Sequence, residues 1–583
     1  MRSFFKIFFA SFLALAVFTV VAFLILIAIV GGLAAKDKPV INAKSVMVLD
    51  LGQQYKEQLQ QNIFSSFTGG ENDIPGLYDV VRLIRKAKSD SHIKGIYIIA
   101  NNNANGFAAS EEIRDALIDF KKSKKFIVAA GDVISQKAYH VANVADKLYV
   151  NPKGTLEWVG YSVEYVFIKG TLDKLEIEPQ IFYAGKFKSA TEPLRTNKMT
   201  DANKLQTTVW LNDMYNYFLV KAAEERKIDT ASLHQLANRA AIRNAKDAFD
   251  HKLVDGLKYD DQVKDEFKKL LDLGKYDKIN FVSINKYALT GDYKQSGKDR
   301  IALIFAEGDI IDGKAKEGAI AGEEYQQLIR KARLDKTVKA IVFRVNSGGG
   351  SVLASENIWR ELTLAKKEKP VVVSFGDVAA SGGYYISCSA DSIFASPTTI
   401  TGSIGVFGII PNMEAFFKNK LGVTFDGVKT APYANTGAPY RPMTDVEKQI
   451  VQTEIDNIYT QFKQRVSDGR NIPVQNVDSI AQGRVWSGSK AINIGLVDRF
   501  GGLQQAVECA ARLARLDDYR LKEYPETENI LERIFNTSTP YTEASVIKKE
   551  LGEENYKIFN EMIRIKQMSN SVQARLPFTF FIH

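Results

Sequence analysis

Two kinds of apolar pattern alternate along most of the chain. Short runs rich in β-branched residues, at 45–51, 95–100 and 126–130 and again at 301–305, 340–345 and 371–375, have the length and continuity of buried strands. Between them, apolar residues recur every three or four positions, in segments ending at Ile84-Arg85-Lys86-Ala87 and Ile329-Arg330-Lys331-Ala332 and in others starting near Ala109 and Ala354. That is helical spacing. Strands alternating with helices predict βαβ units around a mainly parallel sheet, an α/β fold, with a short helix opening near Ser381 or its counterpart.

The pattern occurs twice. The segment 84–90 lines up with 329–335 at an offset of 245 residues, and the same offset brings Ala109-Ser110-Glu111 onto Ala354-Ser355-Glu356 without a gap. It also brings Gly131-Asp132 onto Gly376-Asp377 and Ala145-Asp146 onto Ala390-Asp391. Leu253-Val254-Asp255 and Leu496-Val497-Asp498 recur near the end of each half. A duplication accounts for these matches, and 583 residues are too many for one hydrophobic core. The expected domains are 39–295 and 296–516, joined by a Gly-containing polar linker around 290–300. In the tail, 517–583, an acidic proline-containing loop is expected at 523–528 and an amphipathic helix around 544–567, serving as a packing or oligomer arm.

One apolar run stands outside the repeat. From Ile7 to Ala35 none of the 29 residues is charged, whereas about 20 suffice to cross a bilayer as a helix. A cleavable signal peptide is the rival, because Gly32 and Ala34 form a small-x-small site, but its apolar stretch would be only about 7–15 residues. Residues 1–38 are therefore expected to be an uncleaved anchor, with the amino end inside and everything after residue 38 outside.

Composition excludes several functions. The formal charge of +9 is mild for this length, and no basic run with interleaved aromatics suggests nucleic acid. Cys388 and Cys509 form no CxxC, and His92, His140, His234, His251 and His583 include no pair at metal-ligand spacing. Buried free thiols and chemistry without a metal or other cofactor are expected.

The candidate chemistry lies where the halves differ. Asn346-Ser347-Gly348-Gly349-Gly350 follows an apolar strand, and glycines there let backbone N–H groups face a ligand oxygen with no Cβ in the way. Its counterpart is Asn103-Ala104-Asn105 opposite the three glycines. Ser381, among Ala379, Ala380, Gly382 and Gly383 at a strand-to-helix junction, faces Gln136 in the other half; its hydroxyl is either a nucleophile or an N-cap. A serine nucleophile needs a base, and the only histidine of its half is His583. A lysine serves if burial leaves its amine neutral. Lys186 and Lys188 lie in an aromatic and small-residue setting, with Lys188 the sharper candidate and Lys186 a solvated strand-edge charge.

Asn346 to Val352, Ala379 to Tyr385, Thr401-Gly402-Ser403-Ile404-Gly405 and Lys188-Ser189-Ala190-Thr191-Glu192-Pro193 resemble the long, two-domain form of signal peptide peptidase A, of peptidase family S49. The resemblance covers roughly residues 40–515. It implies two tandem ClpP/crotonase-like domains behind one transmembrane helix, with Ser381 as nucleophile, Lys188 as general base and later acid, and Ser403 orienting the amine. It implies oxyanion donors at Gly382 and at Gly349 or Gly350, with Gly348 standing where the family usually has proline. It further implies peptide substrates resembling signal-peptide remnants, a homotetramer, and a bacterial inner-membrane protein with periplasmic catalytic domains. Two rivals are a crotonase-like thioester enzyme, which would need carboxylates at the catalytic strand ends, and an inactive membrane scaffold.

Overall fold

A computed structural model describes residues 2–34, 39–61, 73–291, 293, 297–314, 318–526, 572–576 and 581–582. In the first lobe six parallel strands run in the order Gly256–Leu257, Lys147–Leu156, Phe126–Ile134, Ile93–Ile99, Ser45–Asp50, Asn280–Ser283. Side chains alternate between the two faces of this sheet. Met47, Leu49, Ile127 and Ala129 pack with the helices Leu77–Ser89 and Phe107–Lys121, while Val46 and Val128 pack with Val263 and Phe267 of the helix Asp260–Leu271. Both faces are covered, which explains the continuous apolar runs in the sequence.

The second lobe repeats the design with the order Val485–Ser487, Ile400–Gly402, Val371–Ala380, Val338–Ser347, Asp299–Glu307, Tyr519–Tyr524. Only Val485–Ser487 pairs antiparallel along this path. The helices Gly322–Leu334 and Val352–Lys366 begin and end 245 residues after Leu77–Ser89 and Phe107–Lys121. The helices Asp201–Arg226 and Asp445–Arg470 also match, each 26 residues long, capped by Thr200 or Thr444 and ended by a left-handed Lys227 or Asn471.

The repeat runs past residue 516. Tyr519–Tyr524 joins Asp299–Glu307 in parallel, as Asn280–Ser283 joins Ser45–Asp50, so Glu523 belongs to a strand and not to the expected loop. Arg520, Lys522 and Glu523 hide this edge strand, which tolerates charge because only one side of it is paired. Residues 527–528 of that loop and the expected helix around 544–567 lie outside the described residues.

A third sheet ties the lobes together, in the order Ala319–Ala321, Asp309–Ile311, Gly349–Ser351, Gln573–Arg575, Val406–Asn412, Glu178–Ala184. Its last two strands come from different lobes and pair antiparallel from Val406/Ala184 to Asn412/Glu178. A buried ionic cluster adds to the joint. Arg344 of the second lobe donates to Glu57 Oε2 at 2.9 Å and Glu112 Oε1 at 2.6 Å from the first, and also to Ser374 Oγ and Phe375 O. Asp377 Oδ1 accepts from Ala108 N and Ala109 N at the start of the helix Phe107–Lys121, where the helix dipole favours an anion.

The amino-terminal segment is helical over Arg2–Ala34. Among the described residues no helix is long and apolar enough to cross a membrane.

Candidate active site

The strand Val371–Ala380 gives way to the short helix Gly382–Tyr385 through Ser381, whose φ of 54° and ψ of −114° are rare for a residue with a side chain. Neighbouring bonds hold the bend: Ser381 N donates to Gly402 O at 2.8 Å, and Tyr385 N donates to Ser381 O at 2.8 Å. Close packing requires the flanking glycine, because a Cβ on Gly383 would come within 2.6 Å of Ser347 O. The Ser381 hydroxyl does not cap the helix it precedes. It turns to a lysine instead.

Lys188 reaches this point from the other lobe. The strand Glu178–Ala184 pairs with Val406–Asn412 and delivers the chain to a turn at Gly185, where Lys188 N donates to Gly185 O. Phe187 N donates to Gln482 O, so a second-lobe loop holds the turn. Lys188 Nζ stands 2.8 Å from Ser381 Oγ, 3.0 Å from Ser403 Oγ and 3.2 Å from Ser403 O. Lys188 is 1 % exposed, and Ser381 and Ser403 are inaccessible. Burial alone pushes the lysine well below its ordinary range, and among the described residues no carboxylate pairs with it to offset that effect. A neutral amine next to a hydroxyl can accept the hydroxyl proton. Ser403, itself at φ 49°, anchors the amine while its own N–H donates to Arg484 O at 2.7 Å.

The glycine turn faces the same serine. Gly349 has φ +98° and donates its N–H to Ser347 Oγ at 3.1 Å. A Cβ on Gly349 would lie 2.6 Å from Gly382 N, so the turn and the start of the serine helix are in contact. The site residues expected from the sequence, Ser381, Lys188, Ser403, Gly382, Gly349 and Gly350, thus come to one place. Lys186 is exposed, its amine 6.0 Å from the Phe187 ring centroid.

The corresponding places in the first lobe are filled. Asn103 Nδ2 donates to Ser110 Oγ and Asn105 Nδ2 to Gln53 O, while Gln136, in place of the serine, binds the backbone of Val159 and Gly160. His140 is buried against Glu111 at 2.6 Å within that lobe.

Two contributors escaped the sequence reading. Gly483, at φ +71°, packs so closely that a Cβ would come 2.7 Å from Lys188 N, Cα and Cβ. Gln206, on the helix Asp201–Arg226, donates to Phe187 O and Ser189 Oγ and accepts from Val485 N, bracing the lysine loop against the second lobe. A lone glutamine in an amphipathic helix carries no signal of such a role. Gly483 belongs to no repeated word.

The chain resembles known proteins over most of its length. The profile of peptidase family S49 matches the chain twice, over residues 119–274 and 363–517. The chain is 37% identical over 473 residues to Protease 4 of Salmonella typhi, covering 79% of this chain and 76% of that protein. It is 32% identical over 487 residues to the chloroplastic serine protease SPPA of Arabidopsis thaliana, covering 81% of this chain and 69% of the relative. A ClpP1 mutant from Listeria monocytogenes aligns with 35% of this chain and 94% of its own at 14% identity, with a TM-score of 0.24, too slight a likeness to assign a fold.

Proposed function

The chain belongs to peptidase family S49 and is a serine protease, and from that premise we propose that Ser381 and Lys188 form its catalytic dyad. The observation that carries this reading is the 2.8 Å contact between Ser381 Oγ and a buried lysine amine whose pKa burial lowers well below the ordinary range. In this mechanism the neutral amine takes the proton of Ser381 as the oxygen attacks a peptide carbonyl, while N–H groups of the glycine turn and of Gly382 stabilise the oxyanion. Lys188, now charged and held by Ser403, passes the proton to the leaving amine. The same nitrogen then activates the water that hydrolyses the acyl-enzyme.

We further propose that the substrates are unfolded apolar peptides such as signal-peptide remnants, and that the enzyme works as a membrane-anchored homotetramer with ClpP/crotonase-like lobes outside the bilayer. Support for the anchor comes from the 29 uncharged residues from Ile7 to Ala35 and from the helix Arg2–Ala34, on which Phe8, Phe9, Phe12, Leu15 and Phe18 are all exposed. The experiment is hydrolysis of an unfolded apolar peptide by detergent-solubilised full-length protein. Wild type is expected to cut it and Ser381→Ala to leave it intact. An inactive scaffold would leave it intact in both cases, and a thioester enzyme would spare the peptide and cleave an acyl thioester.

A further inference from the structure

The third sheet contains a strand that belongs to neither lobe. Gln573–Arg575, from the carboxy-terminal segment, lies between Gly349–Ser351 and Val406–Asn412, pairing antiparallel with the first along its length and with the second at Phe407. Without it, the slot between the glycine turn and Val406–Asn412 is one strand wide. Leu576 N donates to Gly348 O at 2.8 Å and Val352 N to Val572 O at 3.3 Å. In an antiparallel ladder these two bonds make Gly350 and Ala574 a hydrogen-bonded pair, with Gly350 N–H directed at Ala574 O.

That oxygen lies in the oxyanion cradle. A Cβ on Gly349 would come 2.0 Å from Ala574 O, and one on Gly382 would come 2.9 Å from the same atom. Only glycine at 349 lets a peptide carbonyl approach so closely. The side chains of the strand are also received one by one. Ala574 is inaccessible in the second-lobe core, and Arg575 Nη2 stands 2.8 Å from Asp309 Oδ2. Leu576 enters an apolar cluster with Trp210, Met214, Ala380, Ile400 and Val485. On the amino-terminal side, Val572 borders a cavity of about 650 Å³ whose walls include Ile410, Tyr440 and Val451.

We propose that Gln573–Arg575 occupies the substrate groove as a tethered substrate mimic, and that the groove selects a small residue at the position of Ala574, then a basic residue recognised by Asp309, then an aliphatic one. The proposal rests on the Ser/Lys protease reading above, since it takes the carbonyl position beside Gly382 as that of the bond to be cut. Sheet edges commonly take a peptide in this way, the main chain supplying affinity and alternate side chains specificity.

Two measurements on the full-length protein test it. The first compares kcat/KM for internally quenched peptides containing Val-Gln-Ala-Arg-Leu and Val-Gln-Ala-Glu-Leu, using wild type and Asp309→Arg. Wild type is expected to prefer the arginine peptide roughly tenfold, because one pairs with the Asp309 carboxylate and the other is repelled by it, and Asp309→Arg is expected to reverse the order. Equal rates for the two peptides on wild type would overturn the assignment. Failure to cut either peptide or any other would refute the protease reading itself. The second measurement uses Leu576→Asp, which places a charge in the apolar cluster and releases the strand. Its initial velocity at substrate well below KM is expected to rise severalfold, and a folded variant with unchanged velocity would show that the segment does not compete for the groove.

Discussion

Replacing Gly483 with alanine is expected to disable the enzyme without unfolding it. The added Cβ would sit 2.7 Å from Lys188 N, Cα and Cβ, whereas carbon atoms settle at about 3.5–4.0 Å, so the lysine backbone must retreat by roughly 1 Å. The φ of +71° adds about 1–2 kcal/mol of strain for a residue with a side chain. A displacement of that size between reacting groups lowers turnover on the order of a hundredfold, since the Lys188 amine meets Ser381 Oγ at 2.8 Å with no slack. The assay is steady-state hydrolysis of a quenched peptide, with thermal unfolding followed in parallel. Gly170→Ala is the control, because a Cβ there meets nothing within 4 Å. If Gly483→Ala kept activity within about twofold of wild type, Gly483 would not position Lys188.

Three other outcomes follow from the same geometry. Gln206→Leu removes the donors to Phe187 O and Ser189 Oγ and the acceptor for Val485 N, and is expected to destabilise the protein by about 1–3 kcal/mol, with kcat falling more than KM rises, as denaturation and kinetics will show. Arg344→Met strands Glu57 and Glu112 in the joint between the lobes and should reduce stability by about 3–5 kcal/mol in urea unfolding; a change below 1 kcal/mol would show the ion cluster contributes little. Because burial depresses the Lys188 pKa, between its folded and ordinary values the unfolded chain binds a proton that the native chain lacks, and stability contributed by this site rises with pH. The stability advantage of Lys188→Met over wild type is therefore expected to shrink from neutral toward alkaline pH, and a constant difference would count against a neutral buried amine.

Much of the fold was legible because strands covered on both faces leave continuous apolar runs, and because the two copies share words at one offset. Ser381, Gly382 and the glycine turn were legible for a related reason: left-handed and closely packed backbone admits few residue types, so the constraint is written in composition. Lys188 was singled out by the lack of a histidine and by its aromatic and small-residue setting, and the resemblance then implied its role; its burial stayed hidden, since depressing a lysine requires surroundings from distant parts of the chain. What stayed hidden depends on such distant pairing. Tyr519–Tyr524 looks too polar for a strand until it lies on a sheet edge, and nothing in Gln573-Ala574-Arg575 announces that it will lie beside Gly349.

Whether the hydroxyl of one lobe and the amine of the other act as a unit is tested by the rate at which a fluorophosphonate modifies Ser381 as a function of pH in wild type and Lys188→Met. Wild type is expected to be labelled at Ser381, at a rate that rises with pH and levels off below the ordinary lysine range, while Lys188→Met stays folded and is labelled far more slowly. Labelling of Lys188→Met at the wild-type rate, with the same dependence on pH, would contradict it.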